Sequence, residues 1–216
     1  MYDIIFISYN EPNAEKNFAN LKLRFPLVKR VHGVKGIHQA HIAAAKKAFT
    51  KMFWVVDGDA EIVDTFDFSY TVDEYNLETV HVWRSQNPVN GLTYGYGGVK
   101  LLPKKLTMNM DTTSLDMTLG ISDKFKAMDE VSNITAFNTD PFTSWRSAFR
   151  ECCKLVLKDD LESGMRYGAW VSLGDEITIA GALAGGDYGR KNASNKEALL
   201  KINDFNWLKN RYEQTR

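Results

Sequence analysis

Short apolar runs alternate with helix-like segments in the N-terminal part of the chain. Residues 3–8 and 28–34 are strand candidates, and residues 52–56 are apolar without alternation, as expected of a strand covered on both faces. Between them, residues 14–24 and 38–50 are rich in helix formers, with small alanines on one side of the second helix. This strand–helix–strand–helix–strand order predicts parallel strands joined by right-handed crossovers.

The pattern is looser in the rest of the chain. Further strand candidates lie at residues 79–83, 98–102 and 131–137. Asp140 and Pro141 fit the cap and the first position of a helix over residues 141–157, whereas the glycines of residues 181–192 predict turns. No repeat or linker divides the sequence. We therefore predict one α/β domain over residues 1–216, a Rossmann-like three-layer fold with a central, mostly parallel sheet.

The composition narrows the classes of partner and compartment. The 216 residues carry 27 Lys plus Arg and 27 Asp plus Glu, so the net charge of zero creates no general attraction to nucleic acid or membrane surfaces. The two cysteines, Cys152 and Cys153, are adjacent, which excludes a disulfide framework. No apolar run has the length of a membrane span, and residues 1–8 lack the features of a signal peptide. We expect a cytoplasmic protein without a membrane partner.

Two aspartates flank a glycine directly after the third strand, at Asp57, Gly58 and Asp59. In an open parallel sheet, ligands bind beyond the carboxyl ends of the strands. If the backbone stays extended there, both carboxylates point to the same side, and the glycine leaves room for a phosphate group. Neighbouring carboxylates repel each other unless a cation lies between them, and their oxygens suit Mg²⁺ or Mn²⁺. The triplet therefore predicts a metal site that faces a diphosphate.

Three other interpretations of this triplet remain open. The first is a polar turn that ends a strand. A phosphatase of the haloacid dehalogenase type also places Asp-x-Asp after an apolar strand, but that strand is normally the first, and Thr or Val stands where this chain has Glu61. A calcium-binding loop built on Asp57, Asp59 and Glu61 lacks the required glycine, since Ile62 takes that position.

Four segments resemble the GT-A class of glycosyltransferases, in particular its family 2. Ile7–Glu11 is similar to the turn that contacts the nucleotide, and His38–His41 opens a helix where the family carries polar residues near the diphosphate. Asp57–Asp59 matches the Asp-x-Asp metal motif, and Tyr94–Lys100 resembles a Gly-Gly segment beside the acceptor pocket. The resemblance implies a GT-A-like fold.

The same resemblance implies an enzyme that moves a sugar from a nucleotide-diphosphate donor, such as a UDP-sugar, to a hydroxyl acceptor. Residues 1–62 would bind the nucleotide and residues 63–216 the acceptor. Mn²⁺ or Mg²⁺ would be held by Asp57 and Asp59. The residues implied to contact the donor and its metal are Ser8, Tyr9, Asn10, Glu11, Lys35, His38, Gln39 and Asp57.

Two further segments, His81–Ser85 and Ser132–Asn138, are similar to parts of small transferase-like proteins encoded by tailed phages. That resemblance implies an enzyme of the host cytoplasm, with a hydroxymethylated pyrimidine of phage DNA as one acceptor to consider. Contact with DNA requires basic groups for its phosphates. The candidates are Lys104, Lys105, Arg146, Arg150 and Lys154.

A transferase that inverts the sugar configuration needs a carboxylate base for the acceptor hydroxyl. Asp140, just before a helix, is the first candidate, and Asp129 with Glu130 comes second. Asp140 can equally be only a helix cap, and a retaining enzyme needs no such base. Asp187, in the glycine-rich segment, is a candidate third metal ligand supplied by a loop.

Two other classes of function stay open beside the transferase. A chain that keeps the fold without the chemistry would be a nucleotide-sugar or nucleic-acid binding module, and metal-dependent UDP binding without turnover would indicate it. The third alternative is a phosphatase, whose activity would have to be lost in Asp57→Asn. The sequence carries no signal for an oligomeric state.

Overall fold

The structure is a computed structural model that describes residues 1–95 and 97–215, and the chain divides into two compact units. Unit 1 comprises Met1–Gln86 and Thr93–Ala136, and unit 2 comprises Asn87–Leu92 and the chain from Phe137 onwards. Unit 1 contains strands and helices, which confirms the predicted α/β class, and unit 2 contains a group of packed helices.

Unit 1 begins with the predicted alternation of strands and helices. Its elements are β1 (Asp3–Ser8), α1 (Ala14–Arg24), β2 (Lys29–His32), α2 (Ile37–Lys47), β3 (Met52–Asp57), β4 (Ala60–Ile62), β5 (Val80–Gln86), β6 (Thr93–Tyr94), β7 (Val99–Pro103), α3 (Lys104–Met108), α4 (Met117–Ile121) and β8 (Phe125–Thr135). A short 3₁₀ helix at Glu74–Asn76 lies between β4 and β5. The last strand begins at Phe125 rather than at residue 131, because its first six residues are mostly exposed and mix apolar with charged side chains.

The described strands form a mixed sheet in the order β2–β1–β3–β7–β5–β8–β4, with β6 paired to β5. β1 pairs in parallel with β2 and β3, and β5 pairs in parallel with β8. β7 is antiparallel to both neighbours, and β4 is antiparallel to β8. The prediction of a mostly parallel sheet was therefore wrong, because β4, β6 and β7 pair with their neighbours in the antiparallel direction. The connection from β5 to β7 contains β6, and its described residues include no helix. Antiparallel neighbours such as β5 and β7 do not need a helical crossover.

The helices α1 and α2 lie on opposite faces of this sheet. On one face, Ala14 and Leu21 of α1 pack with Trp54 of β3. On the other face, Ala44 of α2 packs with Val55 of β3, and the small alanine side chains let the helix lie close to the strands. Trp54 and Val55 point to opposite faces because successive side chains of a strand alternate. The helices that follow the adjacent strands β1 and β2 therefore lie on opposite faces.

Unit 2 consists largely of helices with a close contact between two of them. They are α5 (Pro141–Leu155), α6 (Leu161–Ser172), α7 (Glu176–Lys191), α8 (Lys196–Leu200) and α9 (Phe205–Glu213). The turns predicted for residues 181–192 were wrong, because these residues lie almost entirely in α7. A Cβ at Gly181 or Gly185 would clash with the α5 backbone, and one at Gly189 would lie 2.7 Å from Cys153 O. The glycines therefore serve the approach of two helices and not a turn.

Candidate functional site

The carboxyl ends of three neighbouring parallel strands lie at one edge of the sheet in unit 1. Ser8 ends β1, His32 ends β2 and Asp57 ends β3, and β1 lies between the other two strands. The helices that follow β1 and β2 lie on opposite faces of the sheet, and open α/β sheets bind ligands beyond the strand ends at such a point. We call the residues Ser8–Glu11, Lys35–Gln39 and Asp57–Asp59 the carboxyl-end edge.

The Asp57–Asp59 triplet forms a turn between β3 and β4. The Asp57 N–H donates to Gly98 O at 2.9 Å, and the Ala136 N–H donates to Asp59 O at 3.0 Å, so both ends of the turn are tied to neighbouring segments. The alternation of an extended strand therefore stops at Asp57. The sequence argument that placed both carboxylates on one side does not apply across this turn.

Lys100 forms an ion pair with Asp57 that the sequence argument did not assign. The Lys100 Nζ lies 2.9 Å from Oδ1 and 2.8 Å from Oδ2 of Asp57, and it also donates to Gly97 O. The Lys100 side chain is 3% exposed and that of Asp57 is 33% exposed. Because an unpaired ammonium at such depth is strongly disfavoured, Asp57 is its counter-ion. The available signal was a single lysine inside the otherwise apolar strand Val99–Pro103.

Two buried histidines belong to α2, the helix on the same sheet face as Lys100. Lys100 is level with Val55, which packs against the α2 side of the sheet. The His41 Nδ1 lies 2.8 Å from Ile37 O, whereas the Nε2 atoms of His38 and His41 are buried with no hydrogen-bond partner in the described part of the chain. Burial, with the Lys100 charge acting in the same direction, lowers the pKa of His41 to about 3. This histidine is therefore neutral at physiological pH.

Gly58 is packed by side chains from the turn after β1 and from α1. A Cβ at this position would lie 2.7 Å from Glu11 Oε2 and 3.1 Å from Ser8 Cβ. Glu11 Oε2 also accepts the Tyr9 N–H at 2.7 Å, and Asn17 Nδ2 donates to Gly58 O at 3.0 Å. The space that the sequence argument reserved for a phosphate beside Gly58 is therefore taken by Glu11, which brings a further carboxylate to the turn.

Ser8 is buried, and its hydroxyl is bound by side chains of β2. Arg30 Nε donates to Ser8 Oγ at 2.9 Å, and His32 Nδ1 lies 2.9 Å from the same oxygen. These contacts hold the ends of β1 and β2 together, so a ligand would reach the hydroxyl only by replacing one of them. The exposed candidates at the carboxyl-end edge are Asn10, Lys35 and Gln39.

A buried polar network lies behind the segment that leads into β7. A Cβ at Gly98 would lie 2.6 Å from Asn133 Oδ1. Asn133 Nδ2 donates to Ser85 Oγ and Ser132 Oγ, both at 2.9 Å, and Thr135 Oγ1 donates to Asn133 Oδ1 at 2.8 Å. Since Gly98 O accepts the N–H of the last residue of β3, the network fixes the backbone beside the turn. No sequence pattern had indicated a structural role for Asn133 and its partners.

The second-choice bases lie on β8, beside β5. Asp129 is exposed and pairs with Arg84 at 2.7 Å, and Glu130 accepts the Trp83 Nε1–H at 3.3 Å. They fall where the register between β5 and β8 shifts, between Trp83 and Arg84. Both carboxylates thus have partners on β5, and the catalytic role of Asp129 stays a prediction.

Asp140 caps α5 in unit 2, as predicted. Its Oδ1 accepts the Thr143 N–H at 2.9 Å, and its Oδ2 accepts the Thr143 hydroxyl. Partial burial acts to raise the pKa of Asp140, but the hydrogen bonds from Thr143 and the positive charge of Arg146 outweigh it and hold that pKa below its ordinary value. A carboxylate has about four acceptor positions, so capping leaves room for another proton donor, and the role of Asp140 as a base stays a prediction.

Asp187 lies in α7 and not in a loop, where it is exposed and pairs with Lys191 at 2.8 Å. The expectation that a loop brings it to a metal was wrong, because the neighbouring glycines pack a helix.

Two of the basic residues considered for contact with DNA have partners within the protein. Arg150 donates to Ile202 O at 2.9 Å, and Lys154 pairs with Glu151 at 3.1 Å.

The donor set at the carboxyl-end edge suits a divalent ion only together with a ligand. In residues 1–95 and 97–215, no group of three or more His, Cys, Asp and Glu side chains could hold a metal ion. Of the two predicted ligands, Asp57 already binds Lys100 through both oxygens. Mg²⁺ is commonly held by one or two carboxylates together with phosphate oxygens and water, and Mn²⁺ favours the same oxygen ligands. An ion at this edge would therefore have to take further ligands from a diphosphate, and its binding by Asp57 and Asp59 stays a prediction.

Comparisons with known proteins do not give this chain a family. No protein-family model matches it, and a search of curated proteins finds no relative. Among solved structures, HddC from Yersinia pseudotuberculosis is similar over 61% of this chain and 92% of its own, with 14% identity and a TM-score of 0.41. A likeness of this size identifies no function. Within the described residues, no helix is both long and apolar enough to cross a membrane.

Proposed function

We propose that this chain is a glycosyltransferase that moves a sugar from a nucleotide-diphosphate donor, with UDP-sugars as the first candidates, to a hydroxyl acceptor. The observation that supports the proposal is the convergence of Ser8–Glu11, Lys35–Gln39 and Asp57–Asp59 on one edge of the sheet. These segments are separate in sequence, and residues of all three, namely Ser8–Glu11, His38 with Gln39, and Asp57–Asp59, resemble donor-binding parts of the GT-A class. Their meeting beyond the strand ends is what a shared ligand requires.

The diphosphate is proposed to bind near the start of α2. Gly36 precedes this helix and provides no side-chain cap, so N–H groups of the first turn are available to phosphate oxygens. Lys35 is exposed next to it and adds a positive charge. Mg²⁺ or Mn²⁺, held by Asp57 and Asp59 with the diphosphate, would supply charge neutralisation for the leaving group.

In the proposed reaction, the acceptor oxygen attacks the anomeric carbon of the sugar. The bond between that carbon and the diphosphate oxygen breaks, and its electron pair leaves with the nucleoside diphosphate. The acceptor proton passes to a carboxylate, for which Asp140 is our first proposal and Asp129 the second. The assignment applies to an inverting enzyme.

The acceptor we propose to test first is a 5-hydroxymethylpyrimidine in DNA. It rests on the resemblance of two segments to phage-encoded proteins alone, since Arg150 and Lys154 of the considered basic residues are engaged within unit 2. Duplex DNA that contains hydroxymethylcytosine should gain the mass of one sugar per modified base, measured by mass spectrometry of the released nucleosides. Unmodified cytosine DNA is the matched control.

The test of the donor reaction is turnover of a panel of UDP-sugars in the presence of Mn²⁺. We expect hydrolysis or transfer by the wild-type protein and a loss of at least about 100-fold in Asp59→Ala, because the charge on the leaving group is then poorly neutralised. Asp123→Ala, which removes an exposed carboxylate of unit 1 away from the carboxyl-end edge, should keep its activity. Equal turnover in wild type and Asp59→Ala would end the proposal, and UDP binding without turnover would favour a binding module.

A further inference from the structure

The Lys100 ammonium occupies the position on Asp57 that a divalent ion would take. Its Nζ lies between the two carboxylate oxygens, at 2.9 and 2.8 Å, and its remaining N–H donor goes to Gly97 O. A lysine ammonium has three donors, so all of them are used within the protein. An ion that binds both oxygens of Asp57 would have to approach from the same side.

The surroundings of Lys100 make this pairing hard to replace by water. The side chain is 3% exposed, and Lys100 lies in β7 between the buried residues Val99 and Leu101. The charge of Lys100 acts on His41, whose buried Nε2 has no hydrogen-bond partner in residues 1–95 and 97–215. Because His41 Nδ1 faces the carbonyl oxygen of Ile37, that ring nitrogen carries the proton and Nε2 is an acceptor.

We infer that Lys100 is a built-in cation that controls metal entry, so that a divalent ion reaches Asp57 only together with a diphosphate. The inference rests on the proposed function for the identity of the diphosphate, but its core is the competition of two cations for one carboxylate. Without a diphosphate, Asp59 offers an ion too few oxygens to displace Lys100. With a diphosphate, phosphate oxygens complete the coordination and add the negative charge that favours the exchange.

Replacement of Lys100 should therefore strengthen the binding of a divalent ion. The loss of a lysine that bound phosphate would instead weaken the binding of the nucleotide. In Lys100→Met, Asp57 keeps its charge but loses its counter-ion, and Mn²⁺ supplies the missing charge. We expect Mn²⁺ alone to bind Lys100→Met at least about tenfold more tightly than wild type, because the ammonium that competes with Mn²⁺ for the Asp57 oxygens is then absent. Lys100→Arg keeps a cation and should behave as wild type.

The experiment is a Mn²⁺ titration followed by electron paramagnetic resonance, with and without UDP, on wild type, Lys100→Met, Lys100→Arg and the double variant Asp57→Asn/Lys100→Met. The expected result is weak binding of Mn²⁺ alone to wild type, tighter binding with UDP, and tight binding to Lys100→Met without UDP. The double variant should lose that gain, which would show that the ion binds at Asp57. Binding of Mn²⁺ alone to Lys100→Met that is equal to or weaker than binding to wild type would overturn the inference.

Lys100→Met can also fail to fold without metal, and the outcome is then read from refolding. Mn²⁺, but not the same concentration of Na⁺, should restore folded protein measured by circular dichroism, and the absence of rescue would overturn the inference. Failure of the proposed function looks different. If no UDP-sugar is turned over and UDP does not promote Mn²⁺ binding to wild type, but Lys100→Met binds Mn²⁺ alone, the lysine inference stands and the transferase does not.

Discussion

The sheet face under α2 and the contact between α5 and α7 are both buried, but they bury different chemistry. Under α2 lie the Lys100–Asp57 ion pair and two histidines whose Nε2 atoms have no partner in the described residues. Between α5 and α7 lie glycines and the α5 backbone, with no room for a further atom. The first region places charge where hydrophobic packing would be more stable, and the second brings two helices as close as possible.

Depth of burial alone therefore does not identify a functional site. A glycine row inside a helix contact is explained by packing, because each glycine removes a clash with the neighbouring backbone. The pairing of a buried ammonium with a carboxylate that is one-third exposed costs desolvation energy, so packing alone does not explain it. Predictions about the two regions should therefore differ in sign when atoms are added or charges are removed.

The largest effect is expected in the helix contact of unit 2. In Gly185→Ala, the new methyl group meets the Phe149 carbonyl oxygen, and since that atom belongs to the backbone of α5 the helices must separate. We expect the free energy of unfolding to fall by about 3 kcal/mol or more. Urea denaturation followed by circular dichroism measures it.

The matched control for this prediction lies in the adjacent helix α6. Gly168 has nothing within 4 Å of the added Cβ, so Gly168→Ala should raise stability by about 0.5–1 kcal/mol through helix propensity alone. If Gly185→Ala were as well tolerated as Gly168→Ala, the close approach of α5 and α7 would be wrong.

A slightly smaller effect is expected when the ion pair of unit 1 is broken from one side. Asp57→Asn leaves the Lys100 ammonium buried without a counter-charge, and we expect a loss of about 3 kcal/mol in unfolding free energy. Asp57→Leu combined with Lys100→Met removes both charges and should recover most of that loss, because apolar replacements of buried ion pairs are often neutral. Equal destabilisation by the single and double variants in urea denaturation would contradict the coupling.

The sequence was sufficient for the first half of unit 1 and insufficient for the pairings that complete the site. The β1–α1–β2–α2–β3 order is local, because each apolar run and helix signal lies within a few residues. The contact of Lys100 with Asp57 joins residues 43 positions apart through an antiparallel pairing of β3 with β7. The sequence of a single strand does not show which strand will pair with it. The lysine inside the apolar strand Val99–Pro103 was therefore visible in the sequence, but its partner Asp57 was not.

The error over residues 181–192 has a different cause. Glycines are turn signals when the backbone is considered alone, and three of them within α7 lower its intrinsic helix preference. The contact with α5 reverses that preference, since any larger residue at Gly181 or Gly185 would clash with the backbone of the other helix. Tertiary packing of this kind leaves no trace in the local sequence.

The next prediction concerns the catalytic role proposed for Asp140. Asn caps a helix about as well as Asp, so Asp140→Asn should change stability by less than about 0.5 kcal/mol. If Asp140 is the base, turnover of the UDP-sugar should fall by about 100-fold or more, which is the usual contribution of a positioned base. Asp160→Asn is the control, because Asp160 caps α6 in the same way and has no predicted catalytic role. Unchanged turnover in Asp140→Asn would leave Asp140 with the cap alone.

The smallest of these effects is a dependence of stability on pH. We expect it in the region under α2, because that region contains His41. Burial and the Lys100 charge lower the pKa of His41 to about 3. As the pH falls below about 6.5, the His41 imidazole gains a proton in the unfolded state but stays neutral in the folded state. Stability is therefore complete above the unfolded pKa of about 6.5 and decreases as pH falls below it, by about 1.4 kcal/mol per pH unit. Between pH 6.5 and 5, we expect wild type to lose about 2 kcal/mol more than His41→Phe.

Two other groups define the limits of this pH test. Burial also lowers the pKa of His81, so His41→Phe should keep part of the wild-type slope. Partial burial acts to raise the pKa of Asp3, but hydrogen bonds from Lys29 and from the backbone N–H groups of Phe49 and Thr50 lower it below its ordinary value. The contribution of Asp3 is therefore lost only as pH falls below about 3.9, outside the histidine range. Identical slopes for wild type and His41→Phe between pH 6.5 and 5 would mean that His41 is not buried as a neutral ring beside Lys100.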